Sequence, residues 1–407
     1  MRQGSGHYSD AMRVERATNR SIRLRNRSAL LTRLFLDGPL TRQDLSRSTG
    51  LSQPAVSNVV SDLIDDGLVA EAGAMESDGG RPSILLRVAP GYGAVAGVDV
   101  GETRVRVELF DLGLTQLASV DQPIDPSGSE PETVVRHIHA GLRAVTAGLD
   151  PAAVLGVGVG VSGIVQQGAD GAVVHAQTLG WDAVPLETLL QRGTGLPLHI
   201  DNGAKTLGQA EMWFGAGRGS RHAVFALVGS GVGAAVVTDG STYRGVSSSA
   251  GEWGHTTLVY GGRACRCGSR GCLEAYVGAE AVLARYREAC GRPAPGNDEE
   301  SQIAALLDAA AHEPAARAIL DETADYLGAG VANLVNLFNP ELVVLGGWTA
   351  GALGGLLPRV RESASRHALR QPFGQARIEL GRLGVDAVAL GAATLPIARL
   401  LTEGGVR

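Results

Sequence analysis

Three cysteines and one histidine fall close together in the second half of the chain, at His255, Cys265, Cys267 and Cys272. Three thiols and one imidazole make a complete tetrahedral ligand set for zinc, and a site whose four positions are all filled by protein is structural. The spacing therefore predicts a structural zinc ion that shapes a loop and does not activate water. The alternative, reduced cysteines in a reactive loop, is weaker because three of the four cysteines of the chain lie within eight residues.

The residues around these cysteines form a longer signature. Glu252-Trp253-Gly254-His255 precedes CRCGSRGCLE at 265–274, and together they resemble the signature of the ROK family of repressors, open reading frames and sugar kinases. The resemblance covers residues 93–400 and includes glycine turns at 99–101, 229–233 and 345–347. Two strand hairpins, one turning at Gly101 and one at 229–233, predict a duplicated α/β unit. The resemblance implies an α/β body of the actin-like, ribonuclease-H-like type, with two domains and a sugar in the cleft between them.

The resemblance also implies which residues contact the sugar. The sugar ligands of the family's kinases map onto Asn202, Glu252, His255 and Glu274 of this chain. Carboxylates and amides suit adjacent sugar hydroxyls, and a zinc-bound imidazole keeps one ring nitrogen free to donate. Either glutamate alone would be interpreted as a solvated acid, but their position beside the zinc ligands favours contact with the sugar.

A preceding segment, residues 175–181, departs from the Pro-Asn-Leu that such kinases commonly have. Gln177 can donate a hydrogen bond to a sugar, and Trp181 can stack on one. A tryptophan is more often a core residue, so the role of Trp181 stays open at this point.

Two departures from the kinase pattern argue against catalysis. The kinases place their catalytic aspartate where this chain has Gly203, and glycine cannot accept a proton from a sugar hydroxyl; a positioned general base contributes about 10² to 10⁴ in rate. Asp201 is two residues early and is expected to point elsewhere. In the first glycine turn Glu102 replaces a glycine, and its charge would repel nucleotide phosphates. The body is predicted to be a sugar sensor without enzyme activity.

The N-terminal region has the pattern of a winged helix-turn-helix. Residues 1–25 are polar and expected to fray, three helices follow from Arg27, and two short strands flank a glycine-rich tip at 77–82. The first turns of the third helix are expected to enter the major groove. A winged helix that binds protein is the alternative. The residues predicted to contact DNA are Arg42, Gln53, Ser57, Asn58 and, at the wing tip, Arg81.

Charge and composition agree with this organisation. Residues 1–60 hold ten arginines against four acidic residues, although the whole chain carries a net charge of −6, so a basic module precedes an acidic body. The N-terminus lacks the apolar core of a signal peptide, no apolar stretch is long enough to span a bilayer, and four cysteines make no disulfide framework. We expect a cytoplasmic protein in which Cys290 is an ordinary buried helix residue.

We therefore predict an N-terminal winged helix-turn-helix at 1–90, a first α/β domain at 91–200 plus 388–407, and a second at 201–387 that carries the zinc loop. The predicted function is a sugar-responsive transcriptional regulator, most simply a repressor. It would bind palindromic double-stranded operator DNA as a homodimer or higher homo-oligomer, since one helix-turn-helix reads only a half-site. The alternatives are a sugar kinase fused to a DNA-binding domain, and a regulator controlled by a partner protein.

Overall fold

The computed structural model describes residues 19–75, 82–124, 130–347, 355–384 and 387–405. They form two compact units, one of Met1–Ala89 with Arg399–Arg407 and one of Pro90–Ala398. Among the described residues, no helix combines the length and the apolar character needed to cross a membrane.

The N-terminal unit is a three-helix domain with a small sheet. The apolar face of the third helix is buried: Val56, Val59, Val60 and Leu63 all face the core. Thr41 and Asp44 form a capping box at the start of the second helix. The elements are α1 Asn19–Asp37, α2 Arg42–Thr49, α3 Gln53–Asp65, β1 Leu40–Thr41, β2 Val69–Met75 and β3 Ser83–Val88, with strand order β1-β3-β2.

Helix α1 begins earlier than the sequence predicted. Residues 19–25 were expected to fray because they lack an apolar period, but the structure makes them helical from Asn19. Arg23 pairs with Asp62 of α3 at 2.7 Å, and Arg27 pairs with Asp66 at 2.6 Å. Ion pairs to a neighbouring helix, which no periodicity reveals, thus accompany the earlier start.

The C-terminal segment Arg399–Arg407 groups with this unit and not with the α/β body to which the sequence assigned it. The buried side chain of Arg27 donates to the carbonyl oxygen of Gly404 at 2.7 Å. A Cβ on Gly405 would lie 2.3 Å from Leu68, so the backbone of the segment touches the apolar core of the unit.

The body contains two five-stranded sheets with the same topology. In each, three antiparallel strands form a meander, and two further strands add in parallel to the first strand of the meander. From edge to edge, each sheet contains the third, second and first strands of the meander and then the two parallel strands. This repetition confirms the duplicated α/β unit that the two glycine-turn hairpins predicted. We call the parts built on these sheets the first lobe and the second lobe.

The strands of the two five-stranded sheets and of a third, smaller sheet have the following bounds. The first sheet contains β4 Ala94–Val100, β5 Arg104–Asp111, β6 Gln116–Pro123, β7 Val154–Val161 and β11 Leu198–Asn202. The second contains β12 Ala223–Val228, β13 Val232–Thr238, β14 Ser241–Thr242, β15 Leu342–Gly347 and β16 Arg377–Leu380. A third, antiparallel sheet of β8 Ile164–Gly168, β9 Gly171–Ala176 and β10 Trp181–Val184 belongs to the first lobe; the sequence predicted only a loop at 175–181.

Helices cover the sheets and the loop that contains the three clustered cysteines. They are α4 Pro131–Val145, α5 Leu186–Gln191, α6 Gly203–Phe214, α7 Glu274–Val277, α8 Ala279–Cys290, α9 Glu299–Ala309, α10 Pro314–Phe338, α11 Leu357–His367, α12 Arg370–Gln375 and α13 Ala387–Thr402. Cys290 ends α8 half-buried, so the expectation of full burial was wrong.

Helix α13 lies directly on the first sheet. A Cβ on Gly97 would be 2.0 Å from the carbonyl oxygen of Ala389, and a Cβ on Gly158 would be 1.7 Å from that of Ala392. Only glycine permits this approach of helix backbone to strands. The contact brings Val388, near the start of α13, to the cavity described next.

Candidate functional site

A cavity of about 580 Å³ lies between the two lobes of the body. Its walls come from the ends of strands in both sheets, from the start of α6 and from the cysteine-containing loop. All five residues predicted to contact sugar line this one cavity, although they span almost one hundred positions of the chain: Gln177, Asn202, Glu252, His255 and Glu274.

The side chain of Asn202 already makes most of its hydrogen bonds to backbone groups of the protein. It is the N-cap of α6, where its side-chain oxygen accepts from the amides of Ala204 at 3.0 Å and Lys205 at 3.2 Å. Its amide group donates to the carbonyl oxygen of Gly163 at 2.7 Å. One N–H remains to donate to a hydroxyl in the cavity, since a side-chain amide carries two.

The two glutamates differ in how many hydrogen bonds and ion pairs the protein already makes to their carboxylates. Glu274 is buried, accepts from the amide of Val232 at 2.9 Å and pairs with Arg266 at 3.4 Å. The carboxylate of Glu252 accepts no hydrogen bond from any described residue. Burial raises the pKa of Glu252, while His255 and Lys205 oppose that rise. Glu252 therefore has the most free acceptor capacity for a ligand.

The side chains of His255, Cys265, Cys267 and Cys272 place their ligand atoms within 4.8 Å of one another. The Sγ atoms of Cys267 and Cys272 are 3.7 Å apart, and Nδ1 of His255 lies 3.7 Å from Sγ of Cys265. A tetrahedron with zinc–sulfur bonds of about 2.3 Å has edges of about 3.8 Å, so the four donors fit zinc. With Nδ1 facing the thiols, Nε2 of His255 is the nitrogen left for the cavity.

Burial raises the pKa of the Cys265 thiol to about 12. Metal ligation requires the thiolate form, so a bound cation would have to offset this effect of burial. The donor set and the short distances between its atoms are what favour a bound metal ion.

Gly203 lies at the cavity, where the kinases carry their catalytic carboxylate. A Cβ there would make ordinary contacts, the nearest being 3.6 Å from Val388, so the fold does not require glycine at this position. Asp201 is buried and pairs with Arg244 at 2.5 Å, and it is not among the residues that line the cavity. The cavity therefore has no general base from either position.

Glu102, which directly follows Gly101 in the first glycine turn, lies against the second glycine turn at 229–233. Its carboxylate oxygen lies 3.1 Å from where a Cβ of Gly231 would be, and its side chain is only 9% exposed. It pairs with Arg266 of the cysteine-containing loop. Burial raises the pKa of Glu102, opposed by Arg266. A carboxylate of the first glycine turn, whose charge is expected to repel nucleotide phosphates, therefore lies against the second glycine turn.

The structure of residues 175–182 shows whether Trp181 is a core residue or a cavity residue. Trp181 is buried in the core of the first lobe and does not line the cavity, whereas Gln177 is exposed to it. His175 also lines the cavity and pairs with Asp182 at 2.9 Å, a position that no sequence spacing indicated.

The predicted DNA-contacting residues of α3 lie on its solvent side. Gln53 and Asn58 are exposed, Ser57 is half-buried, and Ser52 caps the helix through the amide of Ala55. Arg42 at the start of α2 is half-buried. Arg81 of the wing tip lies outside the described residues.

Comparison with known proteins finds relatives along both units. The sequence model described as ROK family matches residues 95–399, and that described as winged helix-turn-helix DNA-binding matches residues 23–70. The xylose repressor of Caldicellulosiruptor bescii is 31% identical over 92% of this chain and 96% of its own length.

Solved structures agree with these matches. A ROK family transcriptional regulator, described as a homolog of the Escherichia coli Mlc protein, has a TM-score of 0.75 and 25% identity, covering 94% of this chain and 98% of its own. A ROK family glucokinase from Streptomyces griseus, in complex with glucose and AMPPNP, has a TM-score of 0.66 and 27% identity, covering 74% of this chain and 99% of its own.

Proposed function

This chain belongs to the ROK family and carries an N-terminal winged helix-turn-helix domain, and from that premise we propose that it is a sugar-responsive transcriptional repressor. Its full-length similarity to a xylose repressor supports a role in carbohydrate uptake or catabolism. A neutral aldopentose or aldohexose matches the chemistry of the cavity, where carboxylate, amide and imidazole groups face one space.

The observation that carries the proposal is Gly203. The cavity retains the candidate sugar contacts but has glycine where the kinases carry the catalytic aspartate, and Asp201 is held by Arg244. A protein that holds a sugar and cannot deprotonate it can report its presence and cannot phosphorylate it. We propose that the body is a sensor and not an enzyme.

Sugar would act by binding two conformations of the protein with different affinities, which is the only way a ligand shifts such an equilibrium. We propose Glu252, His255, Glu274, Asn202 and Gln177 as its contacts. Zinc at His255, Cys265, Cys267 and Cys272 would be structural, and it would hold His255 with Nε2 towards the sugar.

On the DNA side, we propose that α3 reads base edges through Gln53, Ser57 and Asn58. Arg42 and Arg81 would contact the backbone and the minor groove. Glutamine and asparagine side chains suit adenine in the major groove. A homodimer would present two such helices to the two halves of a palindromic operator.

As domain boundaries we propose a winged helix-turn-helix at 1–90 joined to α/β domains built on the two five-stranded sheets. The division of the body at about residue 200 follows the end of β11, the last strand of the first sheet.

The experiment is an equilibrium titration of purified protein with a panel of aldoses, alone and with operator DNA. Binding of one sugar together with a change in operator affinity supports the proposal. Phosphorylation of a sugar with ATP would support the fused-kinase alternative instead. Regulation of operator binding by a protein, with no response to any sugar, would support control by a partner.

A further inference from the structure

Arg266 lies between two of the candidate zinc ligands and contacts acidic side chains of both lobes. Across the cavity it pairs with Glu102 of the first lobe. Within its own lobe it lies 3.4 Å from Glu274 and 3.3 Å from Glu280. It also donates to the carbonyl oxygen of Ser230, in the second glycine turn, at 2.9 Å. One guanidinium thus joins the first lobe, the second glycine turn and a candidate sugar ligand.

A second ion pair crosses between the lobes nearby. Arg104, which follows the first glycine turn, pairs with Glu300 of α9 at 2.7 Å. Both residues line the cavity. Two independent contacts therefore tie the β4–β5 hairpin of the first lobe to the second lobe.

The surroundings of Arg266 are strongly acidic. Glu102 and Glu274 are almost fully buried, and Glu299 hydrogen-bonds to Ser230 in the same turn. Burial and the charge of Glu102 both raise the pKa of Glu299, and Arg266 opposes that rise. Without the guanidinium, carboxylates of opposite lobes would face each other in a partly desolvated space and repel.

We propose that Arg266 is a positioning residue, which holds the lobes together through Glu102 and fixes the carboxylate of Glu274 for the sugar. Glu274 is held on one oxygen by the amide of Val232 and on the other by Arg266. Movement of the lobes therefore changes the geometry of a sugar contact. The sugar part of this inference rests on the proposed function; the contact between lobes does not.

The test is a double-variant cycle of Arg266→Gln and Glu102→Gln in the full-length, zinc-loaded protein without sugar. Hydrogen exchange is measured on peptides that cover the turns at 99–104 and 229–233. Arg263→Gln is the matched control, because Arg263 lies in the same loop but pairs with Glu288 of its own lobe, at 3.1 Å.

Arg266→Gln should speed amide exchange in both turns by about tenfold or more, since it leaves buried carboxylates without a counter-ion. Adding Glu102→Gln should slow amide exchange again in part, because one of the repelling charges is removed. In Arg263→Gln, both turns should exchange at the same rate as in the parent protein. Equal exchange in Arg266→Gln and the parent, or strictly additive effects of the two changes, would overturn the inference.

Binding of an aldose panel is the second readout. Arg266→Gln should weaken sugar binding by about tenfold or more with zinc content unchanged. Unchanged sugar affinity in this variant would refute the positioning role at Glu274. If the parent binds no sugar, the proposed function fails, while the exchange experiment still decides whether Arg266 joins the lobes.

Discussion

Several candidate site residues also hold the protein together. Asn202 caps α6 while it faces the cavity, and His255 presents one ring nitrogen to the thiols and the other to the cavity. A substitution at such a position removes a structural contact and a ligand contact together. Glu252, which accepts no hydrogen bond from the described residues, is the cleanest position for removing the sugar response alone.

Replacement of Cys272 should remove the metal. The purified parent should carry one zinc per chain, and Cys272→Ser should lose it together with the sugar response, because the ion holds His255. Elemental analysis checks the metal, and Cys290→Ser is the control, since Cys290 lies outside the cluster. A metal-free parent that binds sugar normally would contradict the account.

The protein should not phosphorylate sugars. With ATP, magnesium and an aldose panel, product formation should stay at background, because neither Gly203 nor Asp201 supplies a base to the cavity. Gly203→Asp fits sterically but should remain inactive, since Glu102 still lies against the second glycine turn. Phosphorylation by the parent that is abolished by Asp201→Ala would show that Asp201 is the base.

Asp99 should make the stability of the body depend on pH. Burial raises its pKa from 3.8 to about 6, against the opposing effects of Arg104 and Arg106. Its stabilising contribution is therefore greatest when it is neutral and is lost as the pH rises through 6. Asp99→Asn should raise the melting temperature more at about pH 8 than at about pH 5. The exposed Asp170→Asn is the control, and an equal gain at both pH values would contradict the assignment.

Short motifs in the sequence predicted the residues of the candidate site, but they could not predict its long-range contacts. The cysteine spacing indicated the metal cluster, and the family signature indicated the residues that line the cavity. The pairing of Arg266 with Glu102 joins positions 164 residues apart, and no local pattern reports such a contact. The role of Trp181 required the fold, because only packing distinguishes a core tryptophan from a stacking one.

At the level of elements, hydrophobic pattern and glycine turns predicted most of the body. The two hairpins at Gly101 and at 229–233 indicated a duplication, and both sheets show it. The sheet of β8, β9 and β10 was missed because its strands are short, and because the end of β9 and the start of β10 fall in the segment at 175–181 that was interpreted as a ligand loop. The start of α1 was missed because its residues are mostly polar; there Arg23 forms an ion pair with Asp62 of α3, which no local pattern reports.

Helix α3 should carry the sequence preference for DNA. Asn58→Ala should relax base choice at one operator position by about 1–3 kcal/mol, because a side-chain contact to a base edge is lost. Arg42→Ala is the matched comparison, and it should weaken binding to all sequences alike and reduce the salt dependence, as expected for a phosphate contact. Binding to an operator library at several salt concentrations checks both; equal loss across all sequences for Asn58→Ala would contradict base reading.

The whole molecule joins a DNA-binding unit and a sugar-binding body in one chain. The proposed function requires that sugar in the cavity changes the affinity of the DNA-binding unit. Thermodynamic linkage makes this reciprocal, so saturating operator must change sugar affinity by the same factor by which sugar changes operator affinity.

The most direct test of this claim is the affinity for the bound aldose with and without saturating operator DNA, for the parent protein and for Glu252→Gln. The account predicts that operator shifts the sugar affinity of the parent, and that Glu252→Gln binds operator normally but no longer responds to sugar. An identical sugar affinity with and without operator would contradict the account, because sugar would then not be the effector.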